Sequence, residues 1–254
     1  MIMITNMFTK ERFKIIEEYL KKNSRATVEE LANLLFVSKA TVRRDLTEME
    51  KLGQIKRTHG GAIYNNQDEL NIFVRIENNS KDKEETAKIA LKNIPQFNTA
   101  FVDNSSTCLA LLSLMDLDNK TIVTNGFQLA AMLDKKKGAK VIFLGGQVLY
   151  SSFSTTGYFA INTINQLHFD LFLSSCAGLN ENGTYEQTLE TMELKKLAYF
   201  KSDTKILLVD KTKFDHIFTY KTNLLNDYNL IITNASDESI KDYKKLLDNK
   251  IINS

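Results

Sequence analysis

A group of basic side chains near the start of the sequence has the spacing expected for binding a polyanion. Arg43 and Arg44 are adjacent, and Lys56, Arg57 and His59 follow within 16 residues. The planar guanidinium group can donate two hydrogen bonds at once to a phosphate or to the edge of a guanine. The first 62 residues contain 12 Lys and Arg against 8 Asp and Glu, whereas the rest contain 21 against 23. This asymmetry indicates a nucleic-acid-binding module joined to a different domain.

The surrounding pattern predicts helices that would present these side chains. Apolar residues recur at helical spacing over 9–22, which predicts a first helix. Thr27 and Glu30 form a capping-box pattern at the start of a second helix. Ser38 is a good N-cap for a third helix, which would carry both arginines.

The third predicted helix follows the second after about three residues, as in a helix-turn-helix, whose second helix enters the major groove of DNA. Val42, Leu46, Met49 and Leu52 form its apolar stripe, and Gly53 is predicted to end it. The segment GQIKRTHGGA predicts a wing along the phosphate backbone. The predicted contacts with double-stranded operator DNA are Ser38, Lys39, Thr41, Arg43, Arg44, Lys56, Arg57 and His59.

An alternative is that this region is a three-helix packing unit whose charged side chains are merely solvated. Basic residues on helix surfaces usually have that role. The alternative must, however, explain a cap, a turn, paired arginines and a basic wing within one segment of the chain. We therefore favour DNA binding.

From about residue 86 the sequence alternates helix-like and strand-like segments. Short apolar strands such as TAFV, TIVT and KILLV predict a mainly parallel sheet covered by helices on both faces. Ligands bind such sheets beyond the carboxyl ends of the strands. Polar residues or glycines follow four predicted strands, at 103–107, 124–126, 145–146 and 210–213.

These strand-end residues have the chemistry of an anion site. Ser106 and Thr107 would begin a helix whose first amides can bind an anion, and Lys213 could add a positive charge. Each residue also has a local explanation, because Asp103 or Ser106 can cap a helix, Asn125 can stabilise a turn and a glycine can permit close backbone approach. Their convergence on one edge of the sheet favours a ligand site.

The segment LLFVSKATVRRDLTEMEKLGQIKRTHGGA resembles the signature of the DeoR-type bacterial transcription repressors. The family pattern has a Val-Ser turn, Thr-[Val/Ile]-Arg-Arg-Asp-Leu, a Leu-Gly helix end and a terminal His-Gly-Gly-Ala. The matching positions are 37–38, 41–46, 52–53 and 59–62. Asp45 belongs to the match although generic winged helices do not require it, so the resemblance is specific.

The resemblance covers nearly the whole chain and implies an α/β protein. It implies a winged helix-turn-helix domain at 1–62 and, at 76–254, a larger, mainly parallel α/β domain that resembles sugar-phosphate isomerases, binds an effector and forms oligomers. The segment 63–75 between them is polar and lacks sustained apolar periodicity, which predicts a linker. The implied effector is a phosphorylated sugar. The implied effector-binding positions are Asp103, Asn104, Ser105, Ser106, Thr107, Thr124, Asn125, Gly145, Gly146, Gly183, Thr184, Glu193 and Lys213, and Lys195, Lys196 and Asp210 lie in the same matching segments.

Two positions depart from the family pattern. Ser105 stands where the family has a glycine, and a side chain restricts left-handed backbone conformations. We therefore expect a reshaped loop or a ligand that differs from a simple sugar phosphate. Gly126 follows Asn125 and removes a possible hydroxyl contact.

A sugar-phosphate isomerase with an accessory DNA-binding domain is the alternative from another functional class. Isomerisation through an enediol needs a carboxylate base. Where the isomerase pattern that this fold resembles has acids, this chain has SSCA at 174–177, and a hydroxyl keeps its proton near neutral pH. Catalysis is therefore not expected, and Asp103 and Glu193 are expected to hold sugar hydroxyls. A structural DNA-binding protein without a ligand would leave the polar strand ends unexplained.

Other functional classes lack their motifs. There is no glycine-rich nucleotide motif, and the three histidines are scattered, so neither a cofactor nor a metal is expected.

Cys108 and Cys176 are interpreted as core thiols. Apolar runs are far shorter than the roughly 20 residues of a spanning helix, and no leader pattern precedes Met7, so a cytoplasmic protein with no membrane partner is expected. One DNA-binding module buries little DNA surface, so we expect a homodimer or homotetramer.

Overall fold

The fold is that of a computed structural model, which describes residues 9–52, 54–64, 72–136 and 138–253, with the backbone alone at 73 and 74. The chain divides into two compact units, and the division falls between Val74 and Arg75. No helix in these ranges is long and apolar enough to cross a membrane.

The first unit contains the predicted helices followed by an antiparallel hairpin. Its elements are α1 (Thr9–Asn23), β1 (Arg25–Thr27), α2 (Val28–Leu35), α3 (Lys39–Lys51), β2 (Ile55–Thr58) and β3 (Gly61–Tyr64). The three strands form one sheet in the order β1-β3-β2. Ile16, Leu31, Leu46 and Met49 are buried in the core shared by the three helices.

Local sequence signals account for these helices. Both bonds of the predicted capping box form, because the Thr27 amide donates to Glu30 Oε2 at 2.7 Å and the Glu30 amide donates to Thr27 Oγ1 at 3.1 Å. Ser38 caps α3 by accepting a hydrogen bond from the Thr41 amide at 3.1 Å. The predicted helix end at Gly53 lies outside the described residues.

The predicted linker at 63–75 differs from the structure at both of its described ends. Strand β3 continues to Tyr64 because Ile63 pairs with both Arg25 and Lys56. A short helix, α4 (Ile72–Glu77), begins before the division between the units and ends after it. The rest of the predicted linker, 65–71, lies outside the described residues.

The second unit has a seven-stranded parallel sheet in the order β15-β14-β12-β9-β4-β5-β6. Its strands are β4 (Thr99–Val102), β5 (Thr121–Thr124), β6 (Lys140–Phe143), β9 (Phe169–Ser174), β12 (Ser202–Val209), β14 (Leu230–Thr233) and β15 (Ile251–Ile252). The helices are α5 (Ser80–Asn93), α6 (Ser106–Leu114), α7 (Phe127–Asp134), α8 (Tyr158–Asn165), α9 (Leu189–Phe200) and α10 (Lys241–Leu247).

Successive residues of the central strands face opposite hydrophobic cores. Phe101 and Phe172 stack at 5.8 Å in one core, whereas their neighbours Val102 and Leu173 belong to the other. The strands are therefore apolar throughout, as the sequence predicts for a parallel sheet covered on both faces. Both cysteines are free and buried, one in each core, which confirms their interpretation as core thiols.

Two small sheets were not predicted. One is the hairpin of β7 (Gln147–Leu149) and β8 (Ser154–Thr156). The other contains β10 (Gly178–Asn180), β11 (Gly183–Glu186) and β13 (Tyr220–Lys221). Both lie in segments that follow the carboxyl ends of large strands, so they bear directly on the candidate ligand site.

Candidate functional sites

The outer face of α3 carries the predicted DNA-binding side chains. Arg43 and Arg44 are exposed, because Val42, Leu46 and Met49 occupy the buried face of the same helix. Near the start of the helix Ser38 and Lys39 are exposed and Thr41 is half-buried. The Lys39 ammonium group donates to Glu29 Oε1 at 2.9 Å.

A buried ion pair fixes α3 against α1. The Arg12 guanidinium donates to both carboxylate oxygens of Asp45, from Nε at 2.7 Å and from Nη2 at 2.8 Å. The side chain of Asp45 is 4% exposed and that of Arg12 is 13% exposed. A two-point contact fixes orientation as well as distance. Asp45 therefore acts in positioning the helix, although it lies in the same motif as the two exposed arginines.

The hairpin of β2 and β3, here called the wing, is tied to α3. The Arg57 amide donates to Glu50 Oε1 at 2.8 Å, and the Arg57 guanidinium donates to Thr47 Oγ1 at 3.0 Å. Lys56 and His59 are exposed on the same hairpin. Arg57 was predicted to lie along the DNA phosphates, which stays a prediction. In the structure its two hydrogen bonds join the wing to α3.

At the carboxyl edge of the large sheet, Asp103 follows β4 and is almost fully buried. Its Oδ2 atom accepts hydrogen bonds from Ser174 Oγ at 2.7 Å and from the Ser175 amide at 3.1 Å, and lies 2.8 Å from Lys195 Nζ. The Lys195 ammonium also donates to Glu186 Oε1 at 2.8 Å and to the Ser175 carbonyl at 3.0 Å. We call Asp103, Lys195 and Glu186 the buried triad.

The charges of the triad stabilise one another. Burial alone would raise the pKa of Asp103, but Lys195 and hydrogen bonds from Ser105 and Ser174 outweigh it and lower the pKa to about 2. Burial likewise opposes the charge of Lys195, and the two carboxylates raise its pKa. Asp103 was predicted to hold a sugar hydroxyl. Its Oδ2 atom is instead occupied by the triad and its Oδ1 atom by the Ser105 amide at 3.0 Å.

Ser105 has an ordinary backbone conformation in the loop before α6. Its φ is −75°, an ordinary extended conformation, and its Oγ atom caps the helix by accepting from the Cys108 amide at 3.2 Å. Serine at this position thus serves as an N-cap, and the expectation of a reshaped loop or a different ligand stays a prediction. The amides of Ser106 and Thr107 precede the first bond of the helix, from Leu109 to the Ser105 carbonyl, and both side chains are buried at the edge of the sheet.

The next strand end places Thr124 and Asn125 beside this loop, since β5 pairs with β4. Thr124 Oγ1 accepts from the Gly126 amide at 3.2 Å. Asn125 is buried and its Nδ2 donates to the Thr155 carbonyl at 3.0 Å, whereas its Oδ1 has no partner among the described residues. Gly126 has a packing role, because a Cβ atom there would lie 2.7 Å from Asn104 Cβ.

The two glycines after β6 differ in what they require. A Cβ atom at Gly146 would lie 2.3 Å from the Thr156 carbonyl oxygen, and its φ is 152°. This glycine is therefore explained by the close approach of β8. Gly145 is exposed, with open space where a Cβ would stand.

Asp210 and Lys213 follow β12, which is separated from β4 by β9 alone. Asp210 is fully buried, and its Oδ1 accepts from the Thr212 amide at 3.0 Å. Its Oδ2 has no partner in the described part of the chain. Lys213 is half-buried in a 3-10 turn at Lys211–Lys213. Two strand spacings put this cluster about 10 Å from the Ser105 loop.

Three further predicted effector residues lie on α9 and β11, the two elements that also carry Lys195 and Glu186 of the buried triad. Glu193 is exposed on α9, whereas Lys195, two residues later, is on the buried face. Gly183 and Thr184 are in β11, where Thr184 Oγ1 accepts from the Asn223 amide at 3.3 Å.

The sequence interpretation missed two features of this edge. Glu186 and Lys195 were not assigned a role, although Lys195 is in phase with the apolar residues Leu194 and Ala198 of α9. Lys83 on α5 is also buried. Burial lowers the pKa of Lys83 to about 8, and the nearby carboxylate of Asp210 opposes this shift. Within the described ranges there is no cluster of His, Cys, Asp and Glu able to hold a metal ion.

Two family models match this chain and together span most of it. The model described as DeoR-like helix-turn-helix domain matches residues 12–68. The model described as DeoR C terminal sensor domain matches residues 78–235.

Curated relatives match almost end to end. The HTH-type transcriptional regulator GolR of Listeria innocua is 34% identical over 95% of this chain and 96% of its own length. The HTH-type transcriptional repressor GlcR of Bacillus subtilis is 29% identical over 89% of both chains. The L-fucose operon activator of Escherichia coli is 29% identical over 87% of this chain and 93% of its own. A solved D-ribose-5-phosphate isomerase is 16% identical with a TM-score of 0.39, over 53% of this chain and 54% of that one.

Proposed function

Because the chain belongs to the DeoR family of helix-turn-helix transcriptional regulators, we propose that it binds operator DNA through α3 and the wing, under the control of a phosphorylated sugar. The sugar would bind at the carboxyl edge of the large sheet. The proposed DNA contacts are Ser38, Lys39, Thr41, Arg43, Arg44, Lys56, Arg57 and His59. The proposed place of action is the cytoplasm.

One observation carries the choice of ligand. Asn125 Oδ1 and Asp210 Oδ2 are buried at the carboxyl edge and have no partner among the described residues. An acceptor that is removed from water without a hydrogen bond costs about 1–3 kcal/mol. Two such oxygens favour a ligand that brings hydrogen-bond donors, and sugar hydroxyls are donors of this kind.

The same edge has groups that suit the phosphate. The first amides of α6, at Ser106 and Thr107, can donate to an anion, and Lys213 supplies a positive charge nearby. Relatives described as an L-fucose operon activator and a lactose phosphotransferase system repressor act in carbohydrate metabolism by their names. We therefore assign the present chain to sugar-metabolism genes.

A regulator accounts for this edge better than an isomerase does. The end of β9 presents Ser174 and Ser175, and the Ser174 hydroxyl is used as a donor to Asp103. Asp103 is itself held ionised by Lys195. A carboxylate with every oxygen occupied and a depressed pKa is poorly suited to shuttle a proton between carbons.

The proposed mechanism is a difference in effector affinity between two states of the protein, since equal affinity for both would shift nothing. We propose that the effector acts through the segment that joins the two units, and that the protein is a dimer or tetramer with a pair of DNA-binding units. A repressor and an activator stand among the relatives at the same identity. A titration of DNA binding with and without the effector will therefore measure whether the effector strengthens or weakens the binding.

The test is a thermal-shift screen of the full chain against hexose, pentose and triose monophosphates, with the unphosphorylated sugars and inorganic phosphate as references. A ligand at about 100 times its Kd stabilises the native state by about 2.7 kcal/mol and raises Tm. We expect one class of sugar monophosphate to raise Tm more than its sugar or phosphate alone. The same compound should then change the affinity for a duplex selected by the chain from random sequences.

A matched pair of variants locates the site. Lys213→Ala should reduce the shift caused by the sugar phosphate, whereas Lys211→Ala, in the same turn but exposed and paired with Asp82, should leave it nearly unchanged. No shift with any compound, or an equal shift in both variants, would count against the proposed site. Conversion of a binding compound to its ketose or aldose isomer would favour the enzyme instead.

A further inference from the structure

The segment 75–83, here called the junction, is the first part of the second unit. It contains the end of α4, a turn at Asn79 in the left-handed conformation (φ 54°) and the first residues of α5. Because it directly follows the division between the units, any signal that travels along the chain from the sheet to α3 must pass through it.

One end of the junction is held firmly. Lys83 is buried, and its ammonium group donates to the carbonyl oxygens of Arg75 and Asn78, the latter at 2.5 Å. A cation at the carboxyl end of a helix is well placed to satisfy its last carbonyls. On α5 itself, Asp82 Oδ1 accepts from Lys211 and from Asn234, each at 2.9 Å. Lys83 thus ties α5 to the carboxyl end of α4.

Two longer contacts connect the junction to both parts of the candidate effector site. Arg75 Nη2 donates to the Ser152 carbonyl at 3.5 Å, and the same carbonyl accepts from Asn104 Nδ2 at 3.2 Å. Asn79 Nδ2 donates to Thr212 Oγ1 at 3.4 Å. Asn104 belongs to the loop that begins α6, and Thr212 precedes Lys213.

These contacts have the properties of a switch. Hydrogen bonds near 3.5 Å are weak, so a displacement of a few tenths of an ångström is enough to make or break them. Asn104 and Arg75 both donate to the Ser152 carbonyl, so a movement of Asn104 that displaces this carbonyl also alters its distance from Arg75. The short contacts of the buried Lys83 ammonium group would persist while the longer contacts of Arg75 and Asn79 respond.

We propose that Arg75 is a coupling residue: ligand binding at the Asn104 and Lys213 loops changes its contact with the Ser152 carbonyl, and this change is passed through α4 to the DNA-binding unit. The inference rests on the proposed function, because it takes the ligand to bind at those loops. Asn79, through Thr212, provides a second and parallel contact. Arg75 holds no ligand in this scheme and acts through its neighbours.

The experiment compares the full chain with its R75Q variant in two assays. The first is the thermal shift caused by the sugar monophosphate that gives the largest shift in the parent chain. The second is the change in affinity for the selected DNA duplex caused by the same compound. Coupling between sites typically changes affinity about 5- to 150-fold. We expect R75Q to keep the thermal shift while the change in DNA affinity falls to within about twofold.

Two further variants secure the result. N79G removes the contact with Thr212 while glycine adopts the same positive φ without strain, and it should weaken the coupling less than R75Q does. Lys88→Gln, exposed on α5, is the control and should retain the parent coupling.

Each other outcome has a distinct meaning. A parent chain whose DNA affinity ignores every compound overturns the proposed function and the coupling role together. A parent that responds and an R75Q variant that responds equally overturns the coupling role alone. Loss of the thermal shift in R75Q also overturns it, because Arg75 would then be a ligand contact.

Discussion

The two candidate sites use buried charge in opposite ways. In the first unit the proposed DNA contacts Arg43 and Arg44 are exposed, and the buried pair of Arg12 and Asp45 holds their helix in place. At the carboxyl edge of the large sheet, several residues with the chemistry of a ligand site are buried and bind one another. A DNA-binding surface can be recognised from its exposed positive charges. A ligand site can be recognised only when the hydrogen-bond partner of each buried polar group is known.

The largest effect that tests this comparison is expected in the buried triad. Lys195→Met should destabilise the second unit by about 3–5 kcal/mol, because it leaves Asp103 and Glu186 buried without their cation. Hydrogen exchange of the β4 and β9 amides in the full chain would measure the change in opening free energy. The control is Lys196→Met on the exposed face of α9, which should cost less than about 0.5 kcal/mol. Equal effects of the two variants would mean that the triad does not hold the edge together.

The buried pair of the first unit provides the counterpart. Arg12→Ala should cost about 1.5–3 kcal/mol in the exchange of α1 and α3 amides, because the Asp45 carboxylate loses both of its charged hydrogen bonds. DNA affinity should fall as well, since α3 would lose its orientation. Lys14→Ala, exposed on the same helix, is the matched control. Weaker DNA binding with unchanged exchange would instead make Arg12 a direct DNA contact.

The sequence predicted those structural features that depend on residues close together along the chain. The Thr27 capping box, the Ser38 cap and the apolar stripe of α3 each depend on residues within a few positions of one another, and each forms. The alternation of apolar strands with helices likewise predicted the parallel sheet, because burial on both faces leaves its mark within every strand.

The partners within the candidate ligand site could not be predicted in the same way. Asp103, Glu186 and Lys195 meet only because β4, β11 and α9 are brought together by the fold. Ser105 is a second example: its departure from the family glycine suggested a reshaped loop or a different ligand, and its role as an N-cap with φ of −75° emerged only from the structure. Glu193 was proposed from the motif alone, and its exposure follows from the helical phase of α9.

The third prediction concerns a substitution that should change DNA affinity and leave the stability of the first unit unchanged. Arg43→Ala should weaken binding to the selected duplex by about 1–3 kcal/mol and relax preference at one position if Arg43 reads a base. If it contacts a phosphate, binding should weaken on all sequences, and the slope of log affinity against log salt concentration should decrease in magnitude by about one. Lys51→Ala, exposed at the far end of α3, is the control. Unchanged affinity in Arg43→Ala would show that the α3 face is assigned wrongly.

The smallest predicted effect is a difference in how the unfolding free energy depends on pH when a buried lysine or an exposed lysine is replaced. Burial lowers the pKa of Lys83 to about 8, so above that pH the unfolded chain binds more protons here than the folded chain does. The unfolding free energy therefore rises with pH at this site, by about 1 kcal/mol between pH of about 8 and about 9. Denaturation of the parent and of Lys83→Met should show the parent gaining by this amount relative to the variant over that interval. Lys88→Met, exposed on the same helix, should follow the parent. Parallel curves for the parent and Lys83→Met would place the ammonium group in water, and the firm anchor assigned to the end of α4 would then be lost.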